Sequence, residues 1–359
     1  MRITSNSPGR ICLFGEHQDY MALSVISAAI NLTINITGTV SAGDYISVSL
    51  PDIGKSVKFD QKNIVYEGGK DYVRSVVKVL KERGLLGEVQ VEAVLKGNIP
   101  RRAGTSSSSA LSVAWAGFLL ASRFSPDEIN SMKKQIAEAA YWAEVEEFGE
   151  SGGRQDQYAS AFGGVNYFTF FNDITVESLD PHLGGFVLGD SKQEKNTQKT
   201  LRRIRDGQES GLKELSEFYK FKSNRDIEFE KASEYFSRIS SGVRPYLEAV
   251  LENNVITEKA RLELLKTPLN NYEIASLMNR HHSILRDKLD ISTERIEEMI
   301  NGSLEAGALS AKINGSGEGG CMFAYCPGKE QEVSDAILKA GGTPHIISIG
   351  KGLEVSTSI

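Results

Sequence analysis

Apolar and polar positions alternate through much of the first hundred residues. The segments "ISAAINLTINITGTV" (26–40), "YISVSL" (45–50) and "VQVEAVLKGNI" (89–99) are rich in Ile, Val and Thr, and their period of two predicts β-strands. Between the last two, "KDYVRSVVKVLKERG" (70–84) switches to helical spacing and stops at Gly84. After Gly104 an apolar helix is expected from about Ser106 to Ala121. A further helix is announced by "SPDEINSMKKQIAEAAYWAEVEEFG" (125–149). Ser125 suits the N-cap, Pro126 the first turn, Glu128 completes a capping box and Gly149 ends the run. Its apolar stripe is Ile129, Met132, Ile136, Ala140 and Ala143, and Glu144 falls one turn beyond Ala140 on that side. The Glu144 carboxylate is therefore expected to point inward.

Two more strands, "GGVNYFTFF" and "GGFVLGDS", precede a charged region from about Gln193 to Leu265. That region keeps periodic Leu, Ile, Phe and Tyr, so it reads as a solvated helical layer rather than disorder. A final α/β unit follows: helices "IASLMNRHHSILRDKL" and "STERIEEMINGSLEAG", strands "SAKING" and "GCMFAYC", helix "KEQEVSDAILKAG" and strand "PHIISI". No internal repeat is present. A boundary near residue 180 would divide the chain into domains 1–180 and 181–359.

With 359 residues and 40% hydrophobic content the chain can bury a full core. A net charge of −6 gives no global field to attract nucleic acid or anionic lipid, so an anionic ligand must be held by local charge. Cys12, Cys321 and Cys326 lack paired spacing, which argues against a disulfide framework or a zinc site. No apolar leader or spanning segment is visible, and a soluble, cytoplasmic protein without nucleic-acid or membrane partners is expected. A monomer or a homodimer is expected.

Candidate chemistry concentrates in four segments. In "GNIPRRAGTSSSSAL" (97–111) four serines stand directly before an apolar helix. Unpaired N–H groups in a helix's first turn, approached over small residues, form an anion cradle, and Ser hydroxyls can ligate Mg²⁺. An ordinary N-cap with spare serines fits the same residues, and Arg101 and Arg102 either face that anion or are simply solvated. "INGSGEGGCMFAY" (313–325) satisfies G-x-G-x-x-G through Gly315, Gly317 and Gly320. A strand follows it where a dinucleotide site needs a helix, so it is read as a tight turn or as close backbone approach to the phosphate loop. No Walker motif occurs. His281 and His282 are read as surface or packing residues, since no carboxylate or thiol sits at ligand spacing. "SPGRICLFGEHQDY" (7–20) and "ESGGRQDQYASAFGG" (150–164) gather polar groups of both signs where the chain is expected to turn, as a polyhydroxylated substrate would need.

Together these segments resemble the motifs of the GHMP small-molecule kinases, most closely the galactokinase branch. "SPGRICLFGEHQDY", "IPRRAGTSSSSAL" and "INGSGEGGCMFAY" resemble the family's three motifs in order, and Ala143-Glu144 stands twelve residues before Asp156-Gln157, as in galactokinases. "LFGEH" also resembles mevalonate kinases, and "GGRQDQYASAFGG" the heptose-phosphate kinases. After "GEHQDY" the chain departs from galactokinases with "MALSVISAAI".

The resemblance implies an α/β (α+β) fold of two lobes, one like domain 2 of ribosomal protein S5 and one ferredoxin-like, with ATP and Mg²⁺ as cofactors. Gly104, Thr105, Ser106, Ser107, Ser108, Gly315 and Gly317 would surround ATP, and Ser108 and Glu144 would hold Mg²⁺. Asp156 would be the base, and Arg10 would stabilise the transferring phosphoryl group. Glu16, His17, Asp19 and Gly153 would bind the sugar, and Ser109 would pack. The activity implied is phosphorylation of the anomeric hydroxyl of galactose or a related sugar. Alternatives are another acceptor (heptose phosphate, galacturonate, arabinose or mevalonate) or a non-catalytic sensor of ATP and sugar.

Overall fold

The structure is a computed structural model that describes residues 1–100, 104–194 and 196–358. β1 (Arg2–Phe14) and β2 (Val25–Ser41) run antiparallel along the spine of the first sheet. The chain continues through β3 (Tyr45–Leu50), β4 (Lys55–Asp60), α1 (Tyr72–Glu82), β5 (Gln90–Gly97), α2 (Ser107–Leu120), α3 (Pro126–Ser131), α4 (Lys133–Tyr141), α5 (Gln155–Phe162), β6 (Val165–Thr169) and β7 (Thr175–Ser178). Its second half comprises β8 (Phe186–Asp190), α6 (Thr197–Leu215), α7 (Phe229–Ser233), α8 (Arg244–Leu264), α9 (Asn271–Asp287), α10 (Glu294–Glu305), β9 (Ser310–Ile313), β10 (Cys321–Tyr325), α11 (Glu330–Lys339), β11 (Thr343–Ile347) and β12 (Glu354–Ser358). The first sheet has the order β12-β1-β2-β5-β3-β4, with β6 paired to β2 and β7 to β6, and the second has the order β11-β8-β10-β9. The expected two-lobed α/β arrangement is present.

Two expectations need correction. The segment from Ser7 was expected to turn, yet it is strand as far as Phe14. β1 pairs with β12 over Arg2–Asn6 and with β2 along its length, and from Ser7 to Phe14 every residue is buried, so the sequence there does not alternate; bulges between Pro8 and Arg10 and between Cys12 and Phe14 absorb the irregular residues. The long helix expected over 125–149 is three pieces. The Ser125–Glu128 capping box forms, but Ser131 Oγ donates back to the Asp127 carbonyl at 3.1 Å, a contact that bends helices, and α3 stops. α4 then passes into a π-helical turn, Trp142–Glu146, in which Glu147 N–H reaches the Trp142 carbonyl at 2.9 Å. Glu144 is buried there as expected.

The lobes share apolar packing. One cluster packs α1, α2 and α4 on the first sheet. A second lies under α9, α10 and α11 and includes Ile11, Leu13, Ile26 and Ala28 of β1 and β2. A third joins Met21 and Leu23, just after β1, to Leu215, Leu247 and Val250 of α6 and α8. Burying a side chain of this size stabilises by about 1.5–3 kcal/mol, so the turn after β1 is pinned by the helical layer. No helix among the described residues is long and apolar enough to cross a membrane.

Candidate active site

The serine run separates its two readings through Ser106. An N-cap serine normally sits in extended backbone and accepts an N–H bond. Ser106 instead lies in the left-handed region (φ 61°), makes no capping bond, and its buried hydroxyl has no hydrogen-bond partner among the described residues. Such backbone strain is stored where surrounding structure holds it, commonly at ligand sites. The first-turn N–H groups of α2 are thus left open toward the loop Gly104–Ser106. Gly104 itself has φ 83°, and glycines are required around it. A Cβ on Gly315 would stand 2.8 Å from the Gly104 carbonyl oxygen, and one on Gly9 2.7 Å from that of Thr105. Gly315 therefore makes the close backbone approach to the loop. Gly317 packs on Ile291 instead, where a Cβ would come within 2.5 Å of the isoleucine Cβ. Arg101 and Arg102 lie outside the described residues.

Arg10 and Asp156 meet beside this loop. The bulged β1 aims the Arg10 guanidinium at Asp156, with Nε donating to Oδ1 at 2.8 Å and Nη2 at 2.6 Å from the same oxygen, while Nη1 donates to the Gly104 carbonyl. Burial opposes the charge on Arg10, but the Asp156 carboxylate outweighs it and raises the Arg10 pKa. Asp156 sits in the first turn of α5, where the helix dipole favours a carboxylate. Asn314, at the end of β9, accepts from Cys12 N–H at 2.9 Å and donates to the Gly104 carbonyl at 2.9 Å. It ties the strand bearing Arg10 to the serine loop.

Glu144 faces the same loop from the π-helical turn. Burial raises its pKa; hydrogen bonds from Ser108, Ser109 and Gln157 pull the other way, and the Asp156 charge adds to the rise. Gln157 Nε2 donates to Glu144 Oε2 at 2.7 Å, and Ser109 packs with 1% exposure while reaching Glu144 and, at 3.4 Å, Gln157. Among the described residues no three His, Cys, Asp or Glu side chains converge on one point. Mg²⁺ does not require that: it commonly takes one or two carboxylates with substrate phosphates and water, and one carboxylate beside a hydroxyl at an anion cradle fits it.

The other predicted groups divide. Asp19 Oδ2 accepts Gln155 N–H at 3.1 Å, and its carboxylate lies so close to Gly153 that a Cβ there would be 1.9 Å from it. Burial, and then the neighbouring Asp156 charge, raise the Asp19 pKa despite that backbone bond. His17 Nδ1 lies 3.0 Å from Tyr20 Oη. Glu16 turns away from these groups. It is 2% exposed and pairs with Lys312 of β9, itself fully buried, whose Nζ also donates to the Cys12 and Ile313 carbonyls at 3.0 Å each. His281 Nε2 stands 3.5 Å from the second Glu16 oxygen, but burial and the Lys312 charge hold the His281 pKa well below its usual value. The contact is to a neutral imidazole and is no ion pair. His281 and His282 are both buried, so the packing half of their expected role is the observed one; His282 Nε2 lies 3.0 Å from Glu297.

Sequence reading missed Asn314, Lys312 and Gln155. The first two lie in or beside the "INGSG" segment, whose glycines alone drew notice, and Gln155 adjoins Asp156.

An open helix N-terminus over a strained small-residue loop can receive phosphate, and the paired Arg and Asp facing it can orient an alcohol group. Comparison with known proteins agrees. Residues 71–164 match the GHMP kinases N terminal domain, 262–343 the GHMP kinases C terminal domain, and 2–39 the galactokinase galactose-binding signature. A mevalonate kinase of Thermococcus gammatolerans is 30% identical over 100% of both chains. The galactokinase of Lactococcus lactis complexed with galactose superposes with TM-score 0.84 at 20% identity, covering 98% of this chain and 94% of that one. The mevalonate kinase of Methanococcus jannaschii gives TM-score 0.72 at 20% identity over 98% of each. The chain belongs to the GHMP kinases. Its narrower likeness is divided, with sequence identity higher to the mevalonate kinase and structural similarity higher to the galactokinase.

Proposed function

We propose that this chain transfers the γ-phosphoryl group of ATP to a hydroxyl of a small acidic acceptor, with mevalonate the first candidate. The Arg10–Asp156 pair beside the Gly104–Ser108 loop carries the kinase reading. For the acceptor, the support is the 30% identity to a mevalonate kinase over the full length of both chains. The departure of Glu16 toward Lys312 agrees, because it removes one of the hydrogen-bond acceptors a neutral sugar would use.

The chemistry follows from position and charge. The first-turn N–H groups of α2 and the Ser106 and Ser107 hydroxyls would receive the ATP phosphates, with Gly315 leaving room for the loop. Ser108 and Glu144 would hold Mg²⁺, which when bound neutralises phosphate charge. The acceptor oxygen forms its bond to the γ-phosphorus as the bond to the β-phosphate oxygen breaks and ADP departs. Asp156 orients the hydroxyl and takes its proton, while Arg10 keeps Asp156 placed and offsets charge on the phosphoryl oxygens. Asp19, with the Gly153 backbone beside it, would bind an acceptor hydroxyl.

A second reading, a galactose-type sugar, is favoured by the match of residues 2–39 to the galactose-binding signature. ADP release coupled to a reporter, measured over mevalonate, galactose, galacturonate, arabinose and a heptose phosphate, decides between them. Turnover of mevalonate above all others is expected. Selective turnover of galactose establishes the second reading, and no turnover of any acceptor refutes both.

A further inference from the structure

Asp19 and Gly153, assigned above to an acceptor hydroxyl, also line a cavity of about 440 Å³ whose remaining residues the reaction described above does not use. Its lining includes the aromatic and apolar side chains of Tyr158, Phe170 and Ile174. Its walls carry three cations, Lys134 of α4, Arg154 just before α5 and Arg205 of α6. The two arginines are mounted alike. Arg154 Cζ lies 4.0 Å from the centroid of the Tyr141 ring, and Arg205 Cζ 5.9 Å from that of Tyr20. Each meets a carboxylate through Nε, Arg154 at 3.2 Å from Glu138 and Arg205 at 2.9 Å from Glu209. A guanidinium has five donors in a rigid fork, so the terminal Nη edge remains for a planar or tetrahedral anion. Stacking on a ring and an Nε contact hold that edge in place beforehand, which lowers the entropy lost on binding.

The cavity adjoins the reacting groups. Asp19 lines it and accepts the N–H of Gln155, the residue next to Asp156, and Arg154 is two residues from Asp156. An acceptor whose hydroxyl lies at Asp156 would extend past Asp19 into this space. The lining carboxylates Asp19, Glu138 and Asp173 disfavour an anion beside them and suit hydroxyls, so charge is best placed at the arginine edges.

Resting on the phosphotransferase reading above, we infer that this cavity is a specificity pocket in which Arg154 and Arg205 bind an anionic substituent, a carboxylate or a phosphate, at the far end of the acceptor. Acceptors are then discriminated by charge at a point remote from the transferred phosphoryl group.

The test compares charged and neutral partners with the full chain: mevalonate against 3-methylpentane-1,3,5-triol, galacturonate against galactose, and mannose 6-phosphate against mannose. For the wild type, kcat/KM and calorimetric binding without ATP are expected to favour the anionic member of the preferred pair. Arg154→Met and Arg205→Met are each expected to lower the charged-to-neutral ratio at least tenfold, with Arg154→Lys recovering part of it. Because the ratio is taken within one protein, partial misfolding cancels. The carboxylate and phosphate pairs distinguish which anion is read. A ratio unchanged in both Met variants, or a wild type that prefers the neutral members, overturns the pocket while leaving the kinase reading intact. Selective binding of an anion that Arg154→Met abolishes, without turnover of any acceptor, upholds the pocket and refutes the kinase reading.

Discussion

Lys312 and Glu16 form a buried ion pair between the two lobes, and replacing Lys312 by Met perturbs it with little change in side-chain volume. Lys312 is 0% exposed and Glu16 2%, and the ammonium has three partners: the Glu16 carboxylate and the Cys12 and Ile313 carbonyls. The variant leaves the Glu16 charge buried beside a neutral imidazole, and removing one partner of such a pair costs about 3–5 kcal/mol. Glu16→Gln alone strands the ammonium and should cost a comparable amount. Combining the two removes both charges, so the double variant should recover most of the loss, giving a coupling of about 2 kcal/mol or more. Guanidinium melts followed by the fluorescence of Trp115, which is fully buried in the first lobe, measure all three. A Lys312→Met protein within about 1 kcal/mol of wild type, or single effects that simply add in the double variant, would refute the reasoning.

Three further outcomes are expected. Asn314→Ala removes the link between Cys12 N–H and the Gly104 carbonyl, leaving a buried donor unpaired at a cost of about 1–3 kcal/mol, and kcat/KM for ATP should fall at least tenfold in initial-rate assays. Gly153→Ala sets a Cβ 1.9 Å from Asp19 Oδ2, so the carboxylate must move and KM for the acceptor should rise more than KM for ATP. At Glu297, burial raises the carboxyl pKa but bonds from His282 and Ser292 outweigh it, holding the value at about 2 against an ordinary 4.5. Since the unfolded chain then binds the proton more readily, Glu297 contributes stability that is present above pH 4.5 and lost as pH falls toward 2. Glu297→Gln should flatten that acid limb in melts taken across this range.

Most helices and the strands β2, β3 and β5 were legible because their signals are local. The Ser125–Glu128 box, the stop at Gly84 and the alternation of β2, β3 and β5 depend on residues a few positions apart. β1 was not legible, since burial on both faces erases alternation and its pairing with β12 joins the two ends of the chain. β12 itself has too few apolar residues to announce a strand. Of the site, the serine loop and the inward turn of Glu144 followed from local pattern. The orientation of Glu16 did not, because its partner lies 296 residues away.

By itself the sequence determined the kinds of element, the order of the motifs and the residue types able to hold phosphate, metal and hydroxyl. Only the tertiary structure decided that Ser106 leaves its helix uncapped, that Asn314 bridges β1 and the loop across 210 residues, and that Arg154 and Arg205 face one cavity. The physical reason is range. Backbone periodicity and capping act within a turn or two, whereas the charge and hydrogen-bond partners of a buried group are chosen by which surfaces the apolar core brings together.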